Sequence, residues 1–361
     1  MYTNWLNYHI LPLTCSVGLI FEFFSLTTFY KINKSKCSRN YTIYYYLFIY
    51  SISDTIILSI FILYGILKCG KYCLIGSLVD DYLIQQYEKI FKIYLCNSFY
   101  TFNVLIESKI AYSRYRTMSQ FKNFTNKSRM QSMANSRLKM LSSHEFFILF
   151  LLISSFSINI PYLYLYKIEK SSPAEDQHLN SSLLLEALLV QPDMLRINNN
   201  SHLKPIAYLY FVKDFVLLTI VCILNIMVTM SFRRNKFQTG FIKFSQKNHS
   251  IDQRFTHDSN KLKSKINQLT SKEKKISTMI MILCISFFVG HLPETFYKLK
   301  KKLSYTKKTR MNLDFYLFVS NIISCMTSYL NFLIYLYFSP TFRRQFKKNV
   351  YTCLNKKKSQ G

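Results

Sequence analysis

Apolar residues along this chain do not alternate singly with polar ones; they gather in long runs. Seven runs stand out, at roughly 8–30, 41–67, 83–107, 145–166, 206–232, 276–297 and 313–338. A helix needs about 20 apolar residues to cross a bilayer, and each run is of that order. The third is the most broken, because Glu88, Lys89 and Lys92 interrupt its start. No segment repeats with a period of 20–50 residues. The pattern predicts an all-α protein, a single bundle of seven transmembrane helices. One stretch raises a sharper question. YLNFLIYLYFSPTFRRQF (329–346) keeps Asn331 and Tyr335 inside a greasy run and then turns basic and aromatic. A carboxamide in lipid is retained only where its hydrogen bonds are met, so Asn331 must face partners.

Charge changes the picture next. The chain carries 47 basic and 18 acidic residues, a formal net charge of +29. Such a balance suits nucleic-acid binding, but the spacing of the apolar runs argues for membrane lipids as the partner and no nucleic acid. With the N-terminus extracellular, the loops on the inner side hold 30 of the Lys and Arg residues and those on the outer side 13. Lys89, Lys92, Lys109 and Lys213 lie in or at the ends of runs. This asymmetry predicts a multi-pass plasma-membrane protein with its C-terminus inside. The basic outer loop KLKKKLSYTKKTR (298–310) is an exception. Weak, salt-dependent pairing with the acids of loop 167–205 accounts for it most simply. Most of the inner charge is accounted for by an anionic leaflet. The segment 232–275 is polar and rich in Ser, Asn and Lys.

No cleavable leader is expected, since MYTNWLN lacks positive charge and the first run is too long for a signal core. Of nine cysteines, only Cys69 and Cys73 fall in an outer loop, where a local bridge is open to them. Cys353 sits beside basic residues near the inner surface, a setting for palmitoylation or a plain thiol. Asn180 and Asn199 head sequons in loop 167–205 and are candidate glycosylation sites. Paired metal-ligand spacings, a glycine-rich phosphate loop and a nucleophile elbow are all missing from the sequence, so neither an enzyme nor a cofactor is expected.

Several motifs together resemble the rhodopsin-like G-protein-coupled receptors. Asn331-Phe-Leu-Ile-Tyr335 stands where that family has Asn-Pro-x-x-Tyr, and SPTFRRQF follows like its short amphipathic eighth helix, here 340–348, with a tail over 349–361. The Asn-Phe-x-x-Tyr variant looks most like invertebrate FMRFamide-type neuropeptide receptors. ISFFVGHLPETF (285–296) resembles Phe-x-x-Cys-Trp-x-Pro, with Phe287 and Pro293 in place and Gly290 and His291 substituted. YSISDTIILSIF (50–61) supplies Asp54 as the buried aspartate, and GLIFEFFSLTTFYK (18–31) puts Glu22 where asparagine is expected. LLTIVCILNIMV (217–228), with Asn225, fits the fifth span, though without its usual proline. Two departures matter. The preferred alignment of VLIESKIAYSRYR (104–116) sets Glu107-Ser108-Lys109 against the family's Glu-Arg-Tyr, which removes the arginine. The other frame sets Ser113-Arg114-Tyr115 there. The outer disulfide is also missing, since loop 167–205 has no cysteine and Leu83 occupies the partner position.

The resemblance implies a polar switch network of Asp54, Asn331, Tyr335, Glu22 and Ser328, with Asn97 and Asn103 as nearby candidates. It also implies a possible sodium ion at Asp54, and a pivot at Phe287 and Pro293, where the proline kinks the sixth helix. Two close carboxylates do not both ionise cheaply without a cation, so Glu22 and Asp54 are expected to share a proton or a cation. Ile90 stands where amine receptors carry aspartate, and residues 314–338 hold no lysine for retinal, so neither an amine receptor nor an opsin is expected. Glu294 is placed to take a peptide's arginine in a two-point bond or to pair internally with Lys213 or Lys92. His291, Tyr94, Asn321 and Asp214 are its candidate neighbours. The expected function is recognition of an extracellular short amidated peptide and signalling to a heterotrimeric G protein through Glu107, Ser108, Lys109 and the inner loops. A coupling-deficient decoy receptor is the first alternative, motivated by Ser108 and the lost disulfide. An ion or solute transporter is the second, but that class usually carries more intramembrane charge and internal repeats.

Overall fold

The structure is a computed structural model that describes residues 2–35, 41–69, 81–120, 133–168, 195–197, most of 212–230 and of 275–296, and 307–358. Described residues are almost entirely helical. In chain order they form α1 (Tyr2–Lys34), α2 (Tyr41–Cys69), α3 (Asp81–Tyr87), a π-helix (Glu88–Leu95), α4 (Cys96–Gln120), α5 (Met133–Asn159) and α6 (Tyr162–Leu165). Next come α7 (Phe215–Val228), α8 (Thr278–Pro293), α9 (Lys307–Phe338) and α10 (Pro340–Lys358). The departure from helix is a two-stranded antiparallel ribbon, β1 (Tyr166–Ile168) with β2 (Leu195–Ile197), in which Lys167 lies opposite Arg196.

Four of these helices are long and apolar enough to cross a membrane: Ile10–Lys34, Thr42–Leu67, Glu145–Tyr164 and Phe318–Phe338. α7 and α8 are shorter apolar helices. Burial runs the way lipid demands. Large apolar side chains such as Phe23, Phe146, Phe150 and Ile226 point outward, with Phe146 73% exposed, while Glu22, Ser25, Thr28, Ser51, Asp54, Asn103 and Asn159 are buried between helices. Water would reverse that arrangement, whereas hydrocarbon leaves helices to pack through polar and small residues. The protein is therefore a helical membrane protein. Within its helices, serine and threonine hydroxyls return to the carbonyl one turn back, as Thr14 does to Ile10 and Ser59 to Thr55, both at 2.8 Å.

α1 packs along both α2 and α9, and α4 packs against α2 and α5. Small residues permit the closest approaches. Gly65 of α2 faces the Pro12 ring of α1 with no room for a Cβ, and Gly290 of α8 meets Thr327 of α9 in the same way. Taking the end at which α1 begins as the top, an upper apolar cluster gathers Leu11, Cys15, Leu58, Phe61, Cys96 and Cys325. A lower one gathers Phe29, Tyr46, Ile106, Met279, Phe287 and Phe342 among others. The buried polar residues of α1, α2, α4 and α9 lie between the two.

The end of α9 explains the SPTFRR sequence. Ser339 caps α10, its hydroxyl accepting from the Phe342 N–H at 3.2 Å, and Pro340 occupies the first helical position, where a missing N–H costs nothing. The Tyr44 hydroxyl of α2 contacts the same Ser339 oxygen at 2.9 Å. Arg343 donates to the Tyr337 carbonyl at 2.8 Å, meeting an acceptor at the end of α9. Phe342 then enters the bundle, with ring centroids 5.0 Å from Phe29 and 5.6 Å from Tyr335. The sequence placed this helix over 340–348; it continues to Lys358.

Candidate functional site

Asp54 of α2 is the centre of the buried polar layer. Asn103 of α4 donates to its Oδ1 at 2.7 Å, and Asn331 of α9 lies within hydrogen-bonding reach. All three are buried. The question raised by Asn331 is thus answered by a carboxylate from another helix. Glu22 of α1 is fully buried, within hydrogen-bonding reach of Ser51 and close enough to Asp54 for their charges to interact. The Asn103 Oδ1 and the Ser25 hydroxyl have no hydrogen-bond partner. Ser328 is buried on α9. The polar atoms of this layer are mainly oxygens, a donor set that suits a hard cation such as sodium rather than a soft one.

Tyr335 belongs to a lower tier. With Tyr50 and Glu107 it lines a small cavity closed by Leu47, Ile110, Ile280 and Leu283, so residues of α2, α4, α8 and α9 meet there. Tyr50 is within hydrogen-bonding reach of Glu107, whose Oε2 has no partner. Phe29 packs edge-on against the Tyr335 ring at 5.0 Å. Of the proposed inner-face triplet, Glu107 is buried, the Ser108 hydroxyl donates to its own Val104 carbonyl at 2.9 Å, and Lys109 lies 4.1 Å over the Phe147 ring. Arg114, two turns beyond Glu107, is the largest fully buried side chain among the described residues, at 1% exposure.

One pivot residue, Phe287, meets His291, which in turn touches Tyr100, a residue that sequence reasoning did not name. Phe287 is buried, and the His291 ring lies 4.0 Å from it and 4.5 Å from Tyr100 of α4. Ser324 of α9 donates to the Gly290 carbonyl at 2.8 Å, tying α9 to the turn that precedes Pro293. Pro293 lacks the N–H that would meet the Val289 carbonyl, so the Ser324 bond lies in the turn whose backbone ladder the proline interrupts, one residue from the freed carbonyl.

Of the candidate ligand residues, His291, Tyr94 and Asn321 are among the described residues. Tyr94 packs edge-on against Phe156 of α5 at 6.0 Å, and Asn321 is buried on α9. Glu294 and Asp214 lie outside the described residues, as do Cys73, Asn180 and Asn199 and the side chains of Cys69 and Cys353. The two candidate lysine partners of Glu294 occupy defined places. Lys92 pairs with Glu88 at 3.1 Å and lies 3.9 Å over the Tyr64 ring, while the Tyr64 hydroxyl donates to Glu88 at 3.0 Å. Lys213 donates to Asn159 Oδ1 at 2.8 Å and to the Thr101 hydroxyl at 3.4 Å. Asn159 was not singled out from the sequence, though a carboxamide within FSINIPYLY is the same signal that marked Asn331.

The π-helix lies in this upper region. Where it passes into α4, the Ile93 carbonyl accepts from the Cys96 backbone N–H and also from the Asn97 side chain. Such segments are uncommon and recur at functional sites. Compared with known proteins, the sequence matches no family model and no curated protein.

Proposed function

We propose that the chain is a rhodopsin-like G-protein-coupled receptor: a seven-helix bundle in the plasma membrane, N-terminus extracellular, that binds a short amidated peptide and signals to a heterotrimeric G protein. The observation that carries this reading is the buried Asp54–Asn103 hydrogen bond with Asn331 alongside and Tyr335 in the tier below. Five helices, α1, α2, α4, α8 and α9, contribute to those two tiers, as a switch between packings requires. A sodium ion at Asp54 would stabilise the resting arrangement, and agonist would act by binding the open arrangement more tightly. Glu294, with His291, Asn321, Tyr94 and Asp214 as neighbours, remains the proposed contact for the peptide's arginine. Glycans on Asn180 and Asn199 and a lipid on Cys353 belong to the same proposal.

In this reading the frame adopted at the end of α4 is the one that sets Ser113-Arg114-Tyr115 against the family triplet. Asn103 rather than Asn97 meets Asp54, and Arg114 is buried while Ser108 is occupied by its own backbone. An arginine is then present for the G protein, which favours a coupling receptor over a decoy.

The test expresses the full chain with a promiscuous G protein and a calcium reporter, and challenges it with amidated peptides, amines and lipids. A response to Arg-Phe-amide peptides that Glu294→Gln removes is expected. Arg114→Ala should abolish the response at unchanged surface expression, with Ser108→Ala within about twofold of wild type, since only a residue engaged in the transition changes signalling by more than the spread of ordinary surface substitutions. Silence toward the whole panel from a surface-expressed chain would move the reading to the decoy, and a response insensitive to Arg114→Ala would refute the frame.

A further inference from the structure

Cys15 of α1 and Cys325 of α9 are separated by 310 residues in sequence, and their sulfurs meet at 3.0 Å. Both are buried in the upper apolar cluster. One turn below Cys15, a Cβ added at Gly18 would stand 3.7 Å from the Cys325 carbonyl oxygen, ordinary contact distance, so α1 and α9 are direct neighbours at this level. Neither sulfur is in a disulfide. A thiol is only a weak hydrogen-bond donor and acceptor, so the pairing contributes little as a polar contact. As a pair of reactants, it is well placed.

We propose that Cys15 and Cys325 form an intramembrane redox site, at which a small uncharged peroxide converts the thiol pair into a disulfide joining α1 to α9. One sulfur, its proton passing to the departing oxygen as the O–O bond breaks, attacks the peroxide and gives a sulfenic acid and one water. The second thiol sulfur displaces the sulfenic hydroxyl, which leaves with the second thiol proton as another water. The S–S bond forms, the two thiols are oxidised by two electrons, and the peroxide is reduced to two waters. The sulfurs must close to about 2.05 Å, a movement of roughly 1 Å shared between two side chains. Burial decides which oxidants act. Oxidised glutathione is charged and too large for this helix interface, whereas hydrogen peroxide is neutral and the size of a few atoms. The link would hold α9 in register with α1 above Asn331 and Tyr335. This inference stands apart from the proposed receptor function, because its readout is a covalent bond rather than a signal.

The experiment uses the full chain in lipid nanodiscs, treated with hydrogen peroxide or with oxidised glutathione, then denatured, alkylated and mapped by mass spectrometry. Met230, 64% exposed on the bundle surface, reports peroxide delivery through its sulfoxide. With peroxide, the Cys15–Cys325 linked peptide should rise from a minor to the main form, and with oxidised glutathione it should stay minor. The peroxide-treated protein should unfold several degrees above the untreated one, and Cys325→Ser should remove that difference. Absence of the linked peptide once Met230 is oxidised would overturn the proposal. So would linkage of either cysteine to Cys96, which shares the cluster. Mapping of the wild-type chain decides the matter even if a variant fails to insert.

Discussion

Replacing Asn103 with leucine is the most direct probe of the polar layer. The two side chains have the same number of heavy atoms and the same branching, so Asn103→Leu removes the 2.7 Å bond to Asp54 without opening a cavity. Hydrogen bonds between membrane helices average about 0.6 kcal/mol and reach about 1.7. A bond to an ionised group in water-soluble proteins contributes about 1.5–3. The Asp54–Asn103 pair is buried at both ends and its acceptor is a carboxyl, so the cost should lie at the top of the membrane range, about 1–2 kcal/mol. The Asn103 Oδ1 has no partner, and its loss should therefore cost nothing and offset part of the effect. A double-mutant cycle isolates the pair. In an Asp54→Leu background, Asn103→Leu should cost less than about 0.5 kcal/mol or should stabilise, because the acceptor is already gone. The assay is reversible unfolding in mixed micelles, followed by circular dichroism for all four proteins. A coupling energy below about 0.3 kcal/mol, within the additivity expected of independent sites, would refute the view that this bond ties α2 to α4.

Two further outcomes follow from packing. Gly65→Val places two methyl groups where the Pro12 ring already sits, so it should destabilise by about 1–3 kcal/mol, the usual cost of overpacking; equal unfolding free energies for the variant and wild type would contradict the α1–α2 approach. Phe342→Ala empties a site enclosed by Phe29, Phe332 and Tyr335 and should cost about 3–5 kcal/mol. Hydrogen exchange should then show α10 amides losing protection while α1 and α2 keep theirs; a uniform loss would mean that Phe342 supports the whole bundle rather than the docking of α10.

What the sequence determined by itself was the solvent and the chemistry. Runs of about 20 apolar residues announce helices for lipid, because only hydrogen bonding within the segment satisfies a backbone there. Asp54, Asn331 and Glu22 stand out within such runs because a polar group in hydrocarbon needs partners, and the structure places all three in one buried layer. SPTFRRQF could likewise be read as a helix start, from serine at the cap and proline at the first position. The sequence did not decide which carboxamide of α4 would meet Asp54. Asn97 and Asn103 lie six residues apart, roughly 240° round the helix at 3.6 residues per turn, and either face could have turned toward α2. Rotation of the helix about its axis selects between them, and a π-helix just before α4 changes that rotation in a way that apolar periodicity does not reveal. The same rotation buries Arg114 and leaves Ser108 with its own backbone. The meeting of Cys15 with Cys325 is equally a product of tertiary structure, since it depends on how closely two helices distant in sequence approach, and local sequence constrains the shape of each helix but not the distance between them.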